Sequence, residues 1–183
     1  MVNGTVREAL VSMENSLRRF SEGKIDWERV IHNVSWGCIA SVGLAVHEHS
    51  ADSTHGLDGL EDLLKRLDYK FLKDLGQHLY KSTKANIRVA NKIRSWKNFY
   101  RRADYCCVLQ EAMLGFTYLV KVKQSSFTDG EGRTLDVIKE GISQKFYKLE
   151  AILSRMDYVE QFRRTRRCKE WNSLHPTLTF FKR

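Results

Sequence analysis

Residues 134–156, TLDVIKEGISQKFYKLEAILSRM, place Leu135, Ile138, Ile142, Phe146, Leu149, Leu153 and Met156 at steps of three and four. At 100° per residue these positions share one face, and no proline interrupts them. The stretch therefore reads as one amphipathic helix of about 30 residues. Its seven-residue recurrence also allows coiled-coil-like packing, within the chain or between chains.

The same period recurs outward from that stretch. Near the N-terminus, Val6, Leu10, Met13, Leu17 and Phe20 step by four, three, four and three, which predicts a helix over 5–20. Gly23 and Asp26 mark a break, with Asp26 as an N-cap for the next helix. Residues 27–49 are apolar over most of their circumference, as befits the buried centre of a bundle, with Trp36, Ile39 and Val42 inside. Residues 50–56 form a loop by composition. Leu57, Leu60, Leu64 and Leu67 begin another helical pattern that continues through Phe71, Leu72, Leu75 and Leu79. It runs into a basic segment, with breaks possible near Asp68 or Gly76. Residues 104–123 are again helical and largely apolar, and 124–132, rich in Ser, Asp and Gly, are the clearest linker. After Cys168 the periodicity stops, and Pro176 marks an irregular tail.

The chain has 183 residues with 42% apolar and 11% aromatic composition, enough for a real core, while one proline and 11 glycines are few for a β-rich protein. The expected fold is all-α: a single-domain multi-helix bundle with long amphipathic helices and a short irregular C-terminal tail. The bundle spans 1–168, with a possible sub-boundary at the linker 124–133, and the tail spans 169–183.

Charge is unevenly distributed. Residues 1–67 hold 7 Lys/Arg against 10 Asp/Glu, a net −3, whereas 68–183 hold 24 against 12, a net +12. A polyanionic partner is expected on the second part of the chain. Its densest run is 81–102, KSTKANIRVANKIRSWKNFYRR, with Lys81, Lys84, Arg88, Lys92, Arg94, Lys97, Arg101 and Arg102 and no acid. Read as one helix, Lys81, Lys84, Arg88 and Lys92 fall within about an 80° arc, continued by Ser95, Phe99 and Arg102. Val89, Ile93, Trp96 and Tyr100 gather on a separate packing arc. Regular cations neutralise phosphates, Asn86, Asn91 and Asn98 donate to phosphates or base edges, and an exposed Phe99 would stack on a base. A second cluster, Arg163, Arg164, Arg166, Arg167 and Lys169, suits phosphates and nuclear-import receptors alike.

Other chemistry is not written here. His47, His49 and His55 diverge on a helix, so no metal site is expected. Cys38, Cys106, Cys107 and Cys168 form neither CxxC pairs nor a disulfide framework, which predicts reduced thiols. No P-loop, nucleophile elbow, GxGxxG or HExxH is present; no cofactor and no enzymatic activity are expected. The apolar stretches are too short or interrupted to span a bilayer, and the N-terminal residues lack a signal-peptide core. An intracellular protein, cytoplasmic or nuclear, is expected.

Asn33-Val34-Ser35-Trp36-Gly37-Cys38-Ile39-Ala40-Ser41 resembles the Trp-Gly start of the buried central helix of Bcl-2-family apoptosis regulators. Cys38 stands where that family has arginine, and no Gly-Gly-Trp element comes after it, so no binding groove carries over. What the resemblance implies is a helical protein–protein interaction module, whose basic runs would serve an acidic protein partner or nuclear import. The leading expectation is a non-enzymatic nucleic-acid-binding protein, RNA favoured over DNA, making largely sequence-independent phosphate contacts. Self-association into a homo-oligomer would add avidity. A small viral protein that sequesters RNA or antagonises host defence would have this profile.

Overall fold

The computed structural model describes residues 68–174, together with Asn15, Arg18, Arg19 and residues 22–24. The expected helices over 5–20 and 27–49, the burial of Trp36, Ile39 and Val42, and the loop at 50–56 lie outside the described residues, apart from those few positions. So do the leucines of 57–67, the three histidines, Cys38, the Trp-Gly motif and the tail from 175 onward. At 22–24 the expected break is seen. Gly23 adopts φ +69, a left-handed conformation that favours glycine, and the Lys24 amide donates to the Arg19 carbonyl at 2.9 Å.

Five helices make up the rest: α1 (Tyr69–Ala90), α2 (Trp96–Val122), α3 (Asp129–Ser154), α4 (Val159–Arg163) and α5 (Arg166–Leu174), with a 3-10 turn at Gln124–Ser126. No strand occurs among the described residues, and the fold is an all-α bundle. Each long helix begins where a side chain satisfies an orphan amide. Asp68 accepts from the Phe71 amide at 2.9 Å, and Ser95 accepts from the Asn98 amide at 3.3 Å. Thr128 and Glu131 form a reciprocal capping box at 3.2 and 3.0 Å. That box starts α3 inside the expected linker: Gly130 falls in the first turn, where amides need no intrahelical partner, and the Gly132 amide donates to the Thr128 carbonyl at 2.9 Å.

Antiparallel α1 and α2 form a hairpin, and α3 returns alongside α1. A Cβ added at Gly76 would lie 2.6 Å from Ile138 Cγ2 and 2.8 Å from Phe116 Cζ, so glycine is what lets the three helices approach there. Leu72, Leu75 and Leu79 of α1 meet Leu109, Phe116 and Leu119 of α2. The seam read at 134–156 completes this core through Leu135, Ile142, Phe146, Leu149 and Leu153, so its heptad-like face is used within the chain. Each such side chain contributes about 1.5–3 kcal/mol on burial. The core is continuous across residues 124–133.

The end of the bundle where α1 turns into α2 is closed by aromatic rings from the C-terminal elements. Phe99 lies 5.4 Å from Tyr158 and 6.2 Å from Phe162 between ring centroids, and Tyr100 lies 5.8 Å from Phe162. Three expectations are corrected here. The basic run is two helices joined by residues 91–95, because Ser95 turns extended and caps α2 while Ile93 is buried in the turn. Phe99 is 0% exposed, so it is core and not a stacking platform. The predicted 30-residue helix is 26 residues long and ends at Ser154. Beyond it, α5 runs past Cys168 to Leu174 and buries Trp171.

Candidate functional site

Lys81, Lys84 and Arg88 stand exposed along α1, opposite its leucine face, and Lys92 stands exposed in the following turn. None forms an ion pair with a described residue. The row arises because the core face of α1 takes Leu72, Leu75, Leu79, Thr83, Asn86 and Ala90, leaving the opposite side to cations. Arg94 points back instead: its Nη1 donates to the Ile93 carbonyl at 2.8 Å and the Asn91 carbonyl at 3.4 Å, both in the turn that joins α1 to α2. Lys97 and Arg101 are exposed on α2.

Next to the ridge, an open cleft of about 500 Å³ separates α1 from α2, lined by Ser82, Ala85 and Asn86 on one wall and Tyr100, Arg101, Arg102, Asp104 and Tyr105 on the other. Arg102 spans it. Its Nη1 donates to Asn86 Oδ1, and its guanidinium carbon lies 5.7 Å from the centre of the Tyr105 ring. Asn86 is itself fixed, since its Nδ2 donates to the Ser82 carbonyl at 2.7 Å and the residue is buried. The neighbouring buried polar group, Thr83, is satisfied by the Leu79 carbonyl at 2.7 Å.

The second basic cluster sits at the junction of α4 and α5, on the same end of the bundle. Arg163 pairs with Glu160, one turn earlier, and Arg166 with Glu170 at 2.6 Å, one turn later. Arg167 reaches across to Asp104 on the cleft wall at 2.5 Å, with side chains 33% and 41% exposed. Arg164 and Lys169 remain exposed. The structure thus brings Arg167 to the cleft and commits Arg163 and Arg166 to local acids.

Sequence reasoning missed Asp104 and Tyr105 as parts of this site and read Asn86 as a surface donor. One signal was available for Asn86: it continues the step of seven from Leu72 to Leu79, which places it on the core face. No sequence signal pointed to Asp104, because its partner lies 63 residues away.

Cys106, Cys107 and Cys168 are buried thiols. Burial pushes the Cys106 thiol well above its ordinary range, with Cys107 and Glu150 adding to it, and burial also raises Cys168. Such thiols stay protonated and unreactive. Burial likewise raises the Glu150 carboxyl. Among the described residues no group of three His, Cys, Asp or Glu side chains is placed to hold a metal, and no helix is long and apolar enough to cross a membrane.

Comparison with protein-family models, curated proteins and solved structures finds no match to this chain.

Proposed function

We propose that this protein binds nucleic acid, without catalysing a reaction, through largely sequence-independent contacts to phosphates. The observation that carries the reading is the row of Lys81, Lys84, Arg88 and Lys92, exposed and unmatched by any described acid, beside a cleft walled by Arg101 and Arg102. Cations left unpaired by their own protein retain their charge for counterion release from a polyanion. Tyr100 and Tyr105 line the cleft, and unstacked bases pack on aromatic faces, which favours a single strand over a duplex; RNA is the strand of this reading. The C-terminal cluster has a lesser part, since Arg163, Arg166 and Arg167 already have acidic partners. Its helical, ion-paired setting suits a structural role better than the extended segment an import receptor reads. Self-association across the outer face of α3, where Val137 and Tyr147 are exposed, would multiply weak contacts by avidity. Binding of this kind suits RNA sequestration inside a cell.

The test is fluorescence anisotropy with a labelled 20-nucleotide single-stranded RNA at several salt concentrations. Replacing Lys84, Arg88 and Lys92 together with Glu is expected to weaken binding about tenfold or more, and to flatten the slope of log affinity against log salt by about 2. Helical circular dichroism should be unchanged, because these side chains lie away from the core. Unaltered affinity at 0.15 M salt (a Debye length of about 8 Å) overturns the assignment of the ridge.

A further inference from the structure

We propose that the cleft between α1 and α2 is a discrete site for one phosphate group, anchored by Arg102. A guanidinium carries five N–H donors in a rigid fork. Arg102 gives one to Asn86 and rests near the Tyr105 ring, and no described carboxylate pairs with it. Its remaining donors are unspent in a cleft of about 500 Å³, roomy enough for a phosphate with its sugar. The orientation is built in, because Asn86 is buried and tied to the Ser82 carbonyl on a long helix. A side chain already held in place loses less rotamer freedom on binding than the lysines of the ridge.

The electrostatics of the wall agree. Arg101 adds a second cation, while Asp104 would repel a phosphate if its charge were bare. Arg167 offsets that charge at 2.5 Å. Arg167 is therefore a positioning residue: it serves the site through Asp104. This inference rests on the phosphate-binding reading above and sharpens it, naming a fixed anchor beside a row of solvated cations. The same chemistry admits two sources, a phosphodiester of RNA or the phosphate of a free nucleotide.

Both sources are tested with full-length protein, using the labelled 20-nucleotide RNA by anisotropy and uridine monophosphate by titration calorimetry. Arg102→Lys keeps the charge and removes the fork, so RNA affinity should fall about tenfold while the salt slope stays as in the wild type. The ridge variant, in contrast, changes the slope. Arg167→Gln should weaken binding several-fold by baring Asp104, and adding Asp104→Asn should restore it. This second arm reads the site without altering Arg102. Loss of RNA binding in Arg102→Lys assigns the site to a nucleic-acid phosphate. If wild-type protein ignores RNA but binds the mononucleotide, and Arg102→Lys abolishes this, the site stands and the nucleic-acid reading falls. If Arg102→Lys matches the wild type for both ligands, or neither ligand binds, there is no phosphate anchor here.

Discussion

The ridge on α1 and the cluster at the α4–α5 junction are both basic in sequence, yet their charges are disposed differently. Lys81, Lys84, Arg88 and Lys92 have no acid within their run, and they stand clear of every described carboxylate. Arg163 and Arg166 have Glu160 and Glu170 one turn away, and Arg167 has Asp104 across the fold. A count of cations measures potential binding only after the acids within reach have been subtracted. The comparison also separates two uses of arginine: a solvated charge available to a partner, and a fork that holds two helices together.

Reversal of the ridge charges, at tenfold or more, is the largest expected effect and would break the comparison if it failed. Next, alanine at Arg163, Arg164, Arg166 and Arg167 together should weaken RNA affinity several-fold, less than the ridge variant and mostly through the bared Asp104. It should also lower the melting temperature by a few degrees, because the tie between α5 and α2 is lost. A loss matching that of the ridge variant would make the two regions equivalent. Conversely, Glu160→Gln with Glu170→Gln frees Arg163 and Arg166 from their local partners. Affinity at 0.1 M salt should rise about twofold, with a steeper salt slope. No change would mean that these arginines face away from the bound polymer.

The smallest effect concerns Glu150, whose carboxyl burial raises above its ordinary value near 4.5. The folded state thus holds this proton more tightly than the unfolded chain. The stability it confers is full below the unfolded pKa and is lost as pH rises through the folded one. Glu150→Gln should slightly raise the melting temperature at pH 7, and the gain should vanish below about pH 4. RNA affinity should not change with it, which separates core electrostatics from ridge electrostatics. A gain that persists at pH 3 would show that desolvation of the carboxylate is not its cause.

The sequence by itself determined that the described part of the chain is helical, which leucines of α1 and α3 face inward, and that α1 carries a cationic outer face. These are properties of neighbouring turns: the apolar period of Leu135, Ile142, Phe146 and Leu149 fixes a face without knowledge of what covers it. The caps were less legible: Thr128 and Glu131 stand three residues apart, the spacing of a capping box, but the glycines nearby made the stretch read as linker. The end of α1 was not legible. Asn91 to Arg94 contain neither Gly nor Pro, and the helix stops there because Ile93 is drawn into the core and Ser95 caps its successor. Only the tertiary structure decided which cations are free and which are used. Asn86 meets Arg102 across 16 residues, and Asp104 meets Arg167 across 63, distances over which no local period reports. The cleft exists because α1 and α2 fold back on each other, and Phe99 is core because α4 lies over it. Helix faces come from covalent geometry, whereas partners across the bundle come from how those faces pack.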